Sequence, residues 1–243
     1  MGDGSFIELP PSLGFFELPK KGRVLFCGAP ESGKTGLVFT LCEELCACGI
    51  PVMYYDLDRS MHGAVLKVDP DLFKVYTDPN YLELARGLKI TNDIPQMVVV
   101  VSGARNLVWD DQFMTTPESL SKLLVGCRTS DTLVVIVERD EYVDYDVRYK
   151  LVPIKNYRNE GQIEYRKVNV YKKTDEGLST YSFTTLLGGR LSLGAEYLKK
   201  ILNEDPTKSP LSSFELPSGQ KVRGGMNLIR AIDKGKEVTW RSL

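Results

Sequence analysis

Between an apolar run, Arg23-Val24-Leu25-Phe26-Cys27, and an apolar-spaced stretch from Gly36 stands Gly28-Ala29-Pro30-Glu31-Ser32-Gly33-Lys34-Thr35. A G-x-x-x-x-G-K-T segment in that setting joins a buried strand to the start of a helix. Its glycines let the backbone curl until successive N–H groups point inward, which makes a cradle for an anion. The helix that follows turns its positive dipole end to the same point. The segment therefore predicts a nucleoside-triphosphate site, for ATP or another NTP with Mg²⁺. Gly28, Ala29, Pro30, Glu31, Ser32, Gly33, Lys34 and Thr35 would surround the phosphates. Lys34 would reach the β- and γ-phosphates, and the Thr35 hydroxyl would bind the metal.

The flanking pattern says what sheet this loop belongs to. Gly36 to Leu45 spaces apolar residues for a helix that stops near Gly49. Val52 to Tyr55, Met97 to Val101 and Thr132 to Val137 are short apolar runs, with helices predicted over 80–89 and 117–127. Strands that are apolar throughout and alternate with helices call for a mostly parallel central sheet with helices on both faces. Gln162 to Tyr171 and Ser179 to Leu187 then read as two strands joined by a turn-rich connection, an antiparallel hairpin added to an α/β core. Phe6-Ile7 and Phe15-Phe16, each followed by Leu-Pro, read as edge strands closed by proline. From Asn203 the chain is rich in Pro, Ser, Gly and Lys, and an extended tail is expected. The division is then 1–22 for edge strands, 23–202 for the core and 203–243 for the tail.

Composition removes several function classes. A net charge of −1 leaves no general attraction for polyanions, so any nucleic-acid contact must come from local basic groups. Cys27, Cys42, Cys46, Cys48 and Cys127 with the single His62 lack the clustered spacing of a zinc site, and their odd number argues against a disulfide framework. No run of about 18 apolar residues is present, so no membrane-spanning helix is predicted.

Hydrolysis needs a group that polarises water beside the γ-phosphate. Asp56 and Asp58 follow the strand after the phosphate-loop helix, at the sheet edge where ligands sit in an open α/β sheet. Either could serve as the catalytic carboxylate, and Glu31 faces the same region. The strand expected to end in a metal-side aspartate reads Val98-Val99-Val100-Val101-Ser102, so Ser102 would hold Mg²⁺ only through water. The next strand ends Val137-Glu138-Arg139-Asp140, with Asp140 a candidate γ-phosphate sensor.

Gly33 to Val38 with Cys42-Glu43-Glu44-Leu45, Val98 to Val108, Leu133 to Ile136 followed by Asp144, Asp146 and Arg148, and Lys173 to Leu178 with Thr184-Thr185-Leu186 carry a resemblance. Together they resemble the RNA-packaging NTPases of double-stranded-RNA bacteriophages. That resemblance spans about residues 23 to 190. It implies a RecA-like core assembled as a hexameric ring, with sites between subunits and single-stranded RNA drawn through the centre. It also implies contact with viral capsid shell proteins and residence in the virion and host cytoplasm. The chain departs from the family at Ser102, where an aspartate is usual, and at Lys173 and Thr180, where arginine is usual.

On this reading Lys173, with Lys172 beside it, would reach from a hairpin tip to the γ-phosphate of the next subunit, with Arg166, Lys167 and Arg190 as substitutes. Arg105, Arg148 and Lys150, in or after loops at strand ends, would touch RNA. Trp109, Tyr142, Tyr145 and Tyr149 are interleaved for stacking. Asp110, Asp111, Asp140, Glu141, Asp144 and Asp146 crowd the same loops and would oppose phosphate. Two other functions fit the motifs: a RecA-like phage DNA recombinase or annealing ATPase, and a non-catalytic nucleotide-binding structural subunit.

Overall fold

Continuous apolar runs are what a strand covered on both faces needs, and this chain's runs build one sheet. In the computed structural model, the residues described are 6–9, 13, 15–64, 66–77, 97–103, 108–109, 112–113, 133–139, 145–154, 165–186 and 190–235. The helices expected over 80–89 and 117–127 lie outside them. The chain runs β1 (Gly22–Cys27), α1 (Lys34–Ala47), β2 (Val52–Asp56), β3 (Phe73–Thr77) and β4 (Val98–Ser102). The small pair β5 (Val108–Trp109) and β6 (Gln112–Phe113) follows, then β7 (Leu133–Glu138), β8 (Val147–Ile154), β9 (Tyr165–Thr174) and β10 (Gly177–Leu186). The described chain closes with α2 (Leu193–Glu204), β11 (Ser213–Glu215), β12 (Lys221–Arg223) and α3 (Gly225–Gly235).

The main sheet has eight strands in the order β10-β9-β8-β1-β7-β4-β2-β3. From β8 to β3 every neighbouring pair is parallel; β9 and β10 extend the sheet antiparallel. The phosphate-loop strand β1 is central, and β2, β4 and β7 end level with it, since Asp56 pairs with Ser102, Ser102 with Val137 and Cys27 with Glu138.

Helix α1 covers one face. Leu37, Leu41 and Leu45 recur at one spacing, and Val38, Cys42 and Cys46 at the same spacing beside them, forming a stripe packed on Val24, Phe26, Val98 and Val135. Each buried aliphatic there contributes about 1.5–3 kcal/mol. The helix stops where Gly49 takes a positive φ of 77°, with its N–H on the Cys46 carbonyl. The opposite face buries Leu25, Met53, Val99, Val134 and Ile136.

Two expectations from composition differ from the structure. Phe6 makes only an isolated bridge to Pro19 rather than an edge strand, and the segment instead presses Leu13, Phe16 and Leu18 into the core. Phe16 meets Phe183 edge-on at 5.0 Å and Tyr149 at 5.2 Å, closing the part of the face that lies over β8 to β10. Residues 203–235 are no extended tail. Phe214, Leu216, Leu228 and Ile232 form a small core of their own against α2. Its Pro, Ser and Gly are turn residues, while Leu228 and Ile232, four apart, give α3 an apolar stripe. Gly194 lets the two helices touch, since a Cβ there would sit 2.4 Å from the Ile229 carbonyl oxygen.

Candidate nucleotide-binding site

The loop from Gly28 to Gly33 leaves β1 and enters α1 by a path that only certain residues allow. Gly28 has φ 145°, and a Cβ on it would lie 2.5 Å from the Leu151 carbonyl oxygen. Gly33, at φ 91°, is the N-cap of α1. No side chain caps that helix and no acid occupies its first turn, so its positive end is left for an anion. Ala29, Pro30 and Glu31 are exposed, Glu31 at a positive φ of 61°; Ser32 is buried and Thr35 half-buried in the first turn. The Lys34 ammonium donates to the carbonyls of Gly28 at 2.7 Å and Ala29 at 2.9 Å, lying across the mouth of the loop. A phosphate oxygen would take over the role of those carbonyls.

The two candidate carboxylates divide into different tasks. Asp56 is buried, and both its oxygens are spent: Oδ1 accepts from the Ser60 N–H at 2.8 Å and the Ser60 hydroxyl at 2.9 Å, and Oδ2 from the Met61 N–H at 2.9 Å. It braces the turn after β2. Asp58, two residues on, is exposed, and its Oδ1 accepts from the Ser102 hydroxyl at 3.0 Å. Ser102 also accepts from the Ser60 hydroxyl at 3.3 Å, and Ser60 meets the Tyr54 hydroxyl at 3.1 Å. Gly103, at φ 69°, makes room for this packing, because a Cβ there would fall 2.5 Å from the Asp58 Cβ. Asp58 is thus the acid held at the sheet edge with a face to solvent. The Thr35 hydroxyl in the first turn of α1 and the Ser102 hydroxyl at the end of β4 are hard oxygens of the kind Mg²⁺ takes beside phosphate oxygens.

Sequence reasoning did not find the neighbour that holds the loop from behind. Arg166, on β9, donates Nε–H to the Ser32 carbonyl at 2.7 Å and Nη1–H to the Tyr165 carbonyl at 3.1 Å. Its guanidinium packs on Gly33, whose Cβ, if present, would be 3.1 Å from Nε. Burial pulls the guanidinium below its ordinary value. The sequence offers Arg166 as a cation for a neighbouring subunit; in the structure it serves its own loop. Nothing within a short sequence window could signal this, because the partners are 134 residues apart. Ser60 and Gly103 are similarly legible only in three dimensions.

Other expected residues lie elsewhere. Lys173 is at the far end of β9, its N–H on the Asp146 carbonyl, level with the amino end of β1. About five residues of strand separate that level from Gly28, roughly 17 Å. It cannot serve its own phosphate loop. Lys172 is committed to Glu17 in an ion pair and lies over the Phe6 ring at 4.4 Å. Arg148 and Lys150 are in strand β8, not in loops, and Tyr149 between them points into the core. Arg105 and Asp140 lie outside the described residues.

The strand order with its phosphate loop matches known architecture. Among solved structures, one described as an ATPase domain superposes with a TM-score of 0.56 at 13% identity, over 79% of this chain and 93% of that one. The fold is RecA-like. No protein-family model matches the chain, and no curated protein does.

Proposed function

We propose that this chain is an NTP-hydrolysing motor that works as a ring oligomer and translocates single-stranded RNA. The observation that carries the reading is the phosphate loop on a RecA-like sheet with Asp58 held two strands beyond β7. Lys34 would leave the Gly28 and Ala29 carbonyls for the β- and γ-phosphates, and the loop amides would take the remaining oxygens. Asp58 would accept a proton from the attacking water as its oxygen bonds to the γ-phosphorus and the bond to the β–γ bridging oxygen breaks. Mg²⁺, when bound with the nucleotide, supplies charge neutralisation; the Thr35 hydroxyl is the residue that would hold it. Lys173, too far from its own site, supports a reading in which a second subunit's γ-phosphate is its target. RNA as the polymer, the hexameric ring, the capsid partners and the virion setting rest on the resemblance to the packaging NTPases.

A second reading has its own observation. The hydroxyl of Ser102 stands where the metal-side carboxylate is usual and is used on Asp58. That arrangement also suits a subunit that binds nucleotide to set its assembly and turns it over slowly or not at all.

Steady-state hydrolysis of ATP·Mg²⁺ with and without single-stranded RNA, alongside native mass determination, separates them. The motor predicts RNA-stimulated turnover, loss of it in Lys34→Ala, and a ring-sized mass. Nucleotide binding with no turnover under any single-stranded polymer would eliminate the motor in favour of the structural subunit. Preference for single-stranded DNA with open filaments would favour a recombinase.

A further inference from the structure

We infer that Tyr54 is a positioning residue for hydrolysis, acting from the core through Ser60 and Ser102 to orient Asp58. The inference rests on the reading of Asp58 as the proton acceptor and deepens it by naming what holds that carboxylate in place.

Register brings the groups together. Tyr54 and Asp56 are two apart on β2; across the ladder Tyr54 pairs with Val100 and Asp56 with Ser102. Residues two apart on a strand, and residues directly opposed on neighbouring strands, share one side of the sheet. That side is the one α1 covers, since Val52, Tyr54, Val98 and Val100 pack in the core beneath that helix. The turn after β2 then folds back over the strand ends. Arg59 takes a positive φ of 57° there, a conformation that costs an ordinary side chain. With that reversal the Ser60 and Met61 N–H groups both reach Asp56, and the Ser60 hydroxyl comes within reach of Tyr54, Asp56 and Ser102.

Proton counting gives this line a direction. Tyr54, Ser60 and Ser102 carry one hydroxyl proton each. The Ser102 proton goes to Asp58 Oδ1 at 3.0 Å, because a carboxylate is the stronger acceptor. The Ser60 proton lies between Asp56 Oδ1 at 2.9 Å and Ser102 Oγ at 3.3 Å, so Ser60 also donates into the site. The contact between Tyr54 and Ser60 at 3.1 Å is then left with one donor, the Tyr54 hydroxyl. Burial pushes that hydroxyl above its ordinary value, so it keeps its proton at neutral pH. Every link points outward, from a fully buried tyrosine toward the exposed Asp58. There the Ser102 hydroxyl and the Ser60 N–H, at 3.3 Å, both fall on Oδ1, so the carboxylate is pinned by one oxygen.

The far end of the line is fixed as well. The Tyr54 ring centroid lies 5.9 Å from that of Phe39 on α1 and 6.3 Å from that of Phe73 on β3. Phenylalanine would pack between the same rings, and a buried hydroxyl costs free energy unless it is bonded. What the tyrosine adds is therefore the donor to Ser60.

The test is steady-state hydrolysis of ATP·Mg²⁺ by the full chain, with nucleotide affinity read separately by a fluorescent ATP analogue. Tyr54→Phe keeps the ring and removes the first donor of the line. Its kcat should fall about fivefold with KM and nucleotide affinity unchanged, the effect of one neutral hydrogen bond. Ser60→Ala removes the middle link from a half-buried turn position and should lower kcat at least as much; adding Tyr54→Phe to it should cost nothing further. In Asp58→Asn, whose residual turnover no longer uses that carboxylate, Tyr54→Phe should likewise cost nothing. Parent-like kcat in Tyr54→Phe, or in Ser60→Ala where Tyr54→Phe does not fold, would overturn the inference. A raised KM with kcat kept, or equal fold losses from Tyr54→Phe in the parent and Ser60→Ala backgrounds, would overturn it too, since the hydroxyl would then serve packing or the phosphate loop alone. Parent-like turnover in Asp58→Asn would instead sink the reading of Asp58 itself, and a parent chain without turnover would sink hydrolysis altogether.

Discussion

Replacing Ser102 by aspartate restores the residue that the resemblance expects, yet the structure predicts a loss of stability without metal. The side chain is fully buried, and its hydroxyl donates to Asp58 Oδ1 at 3.0 Å. The variant first loses that donor, a hydrogen bond to a charged acceptor worth roughly 1.5–3 kcal/mol. It then sets two carboxylates about 4 Å apart, a repulsion between about 1 kcal/mol in water and about 4 kcal/mol at the effective dielectric of a protein surface. Because Asp58 is exposed, the low end of that range applies, and the sum is about 2.5–4 kcal/mol. For a chain of this size the melting temperature should drop by about 5–16 °C at pH 7 in EDTA. Ser102→Ala, which loses only the donor, should drop by less. The pH dependence has a definite sign. Repulsion makes the native pair hold a proton more readily than the unfolded chain, so the deficit shrinks as pH falls through the carboxylate range and grows as it rises. Mg²⁺ with ATP should raise the melting temperature of Ser102→Asp more than that of the parent, because two carboxylates and a triphosphate form a better hard-oxygen site. Thermal denaturation at two pH values, with and without Mg·ATP, reads all of this. A variant that melts within about 2 °C of the parent in EDTA at pH 7 would refute the claim that Ser102 braces Asp58.

Arg166→Ala leaves the Ser32 carbonyl without its donor and Gly33 without its packing partner, and nucleotide affinity should fall about tenfold, read by titration with a fluorescent ATP analogue. Lysine should not rescue it, since Nε and Nη1 act as a fork, and parent-like affinity in Arg166→Ala would refute the role. Burial pushes the Cys46 thiol up to about 11 and, with Glu17 nearby, the Tyr181 hydroxyl up to about 12. Both stay protonated in the native state while the unfolded chain releases their protons above the ordinary values, so melting temperature should fall steadily from about pH 9 upward. A flat profile to pH 11 would contradict that burial. Gly194→Ala drives a methyl group into the Ile229 backbone and should loosen α2 from α3 at a cost of about 1–3 kcal/mol, seen as earlier proteolytic cleavage of the C-terminal unit with ATP affinity retained.

The legible parts of this molecule were those written in neighbouring residues. The apolar runs at Arg23 to Cys27, Val52 to Tyr55, Met97 to Val101 and Thr132 to Val137 each became a strand of the parallel sheet, because a strand buried on both faces must be apolar throughout. Strands β3 and β8 escaped notice for the same reason. Phe73 to Thr77 is a largely exposed edge strand, and Val147 to Ile154 alternates buried with polar residues, so neither has a continuous apolar run. Alternation in β8 also hid that Arg148 and Lys150 share a sheet face rather than a loop. The C-terminal region misled because its turn residues outnumber its apolar ones, though Phe214, Leu216, Leu228 and Ile232 suffice for a small core.

For the candidate site the division follows chain distance. Gly28 to Thr35 form one loop and one helix start, so their spacing alone dictates a curled backbone, a dipole end and a lysine beside it. Which acid faces solvent, which is spent on a turn, and what holds the loop from behind depend on strands brought side by side from far along the chain. Asp56 and Asp58 look alike in sequence. Only the turn that seats Ser60 and Met61 on one, and the strand that sets Ser102 against the other, make them different.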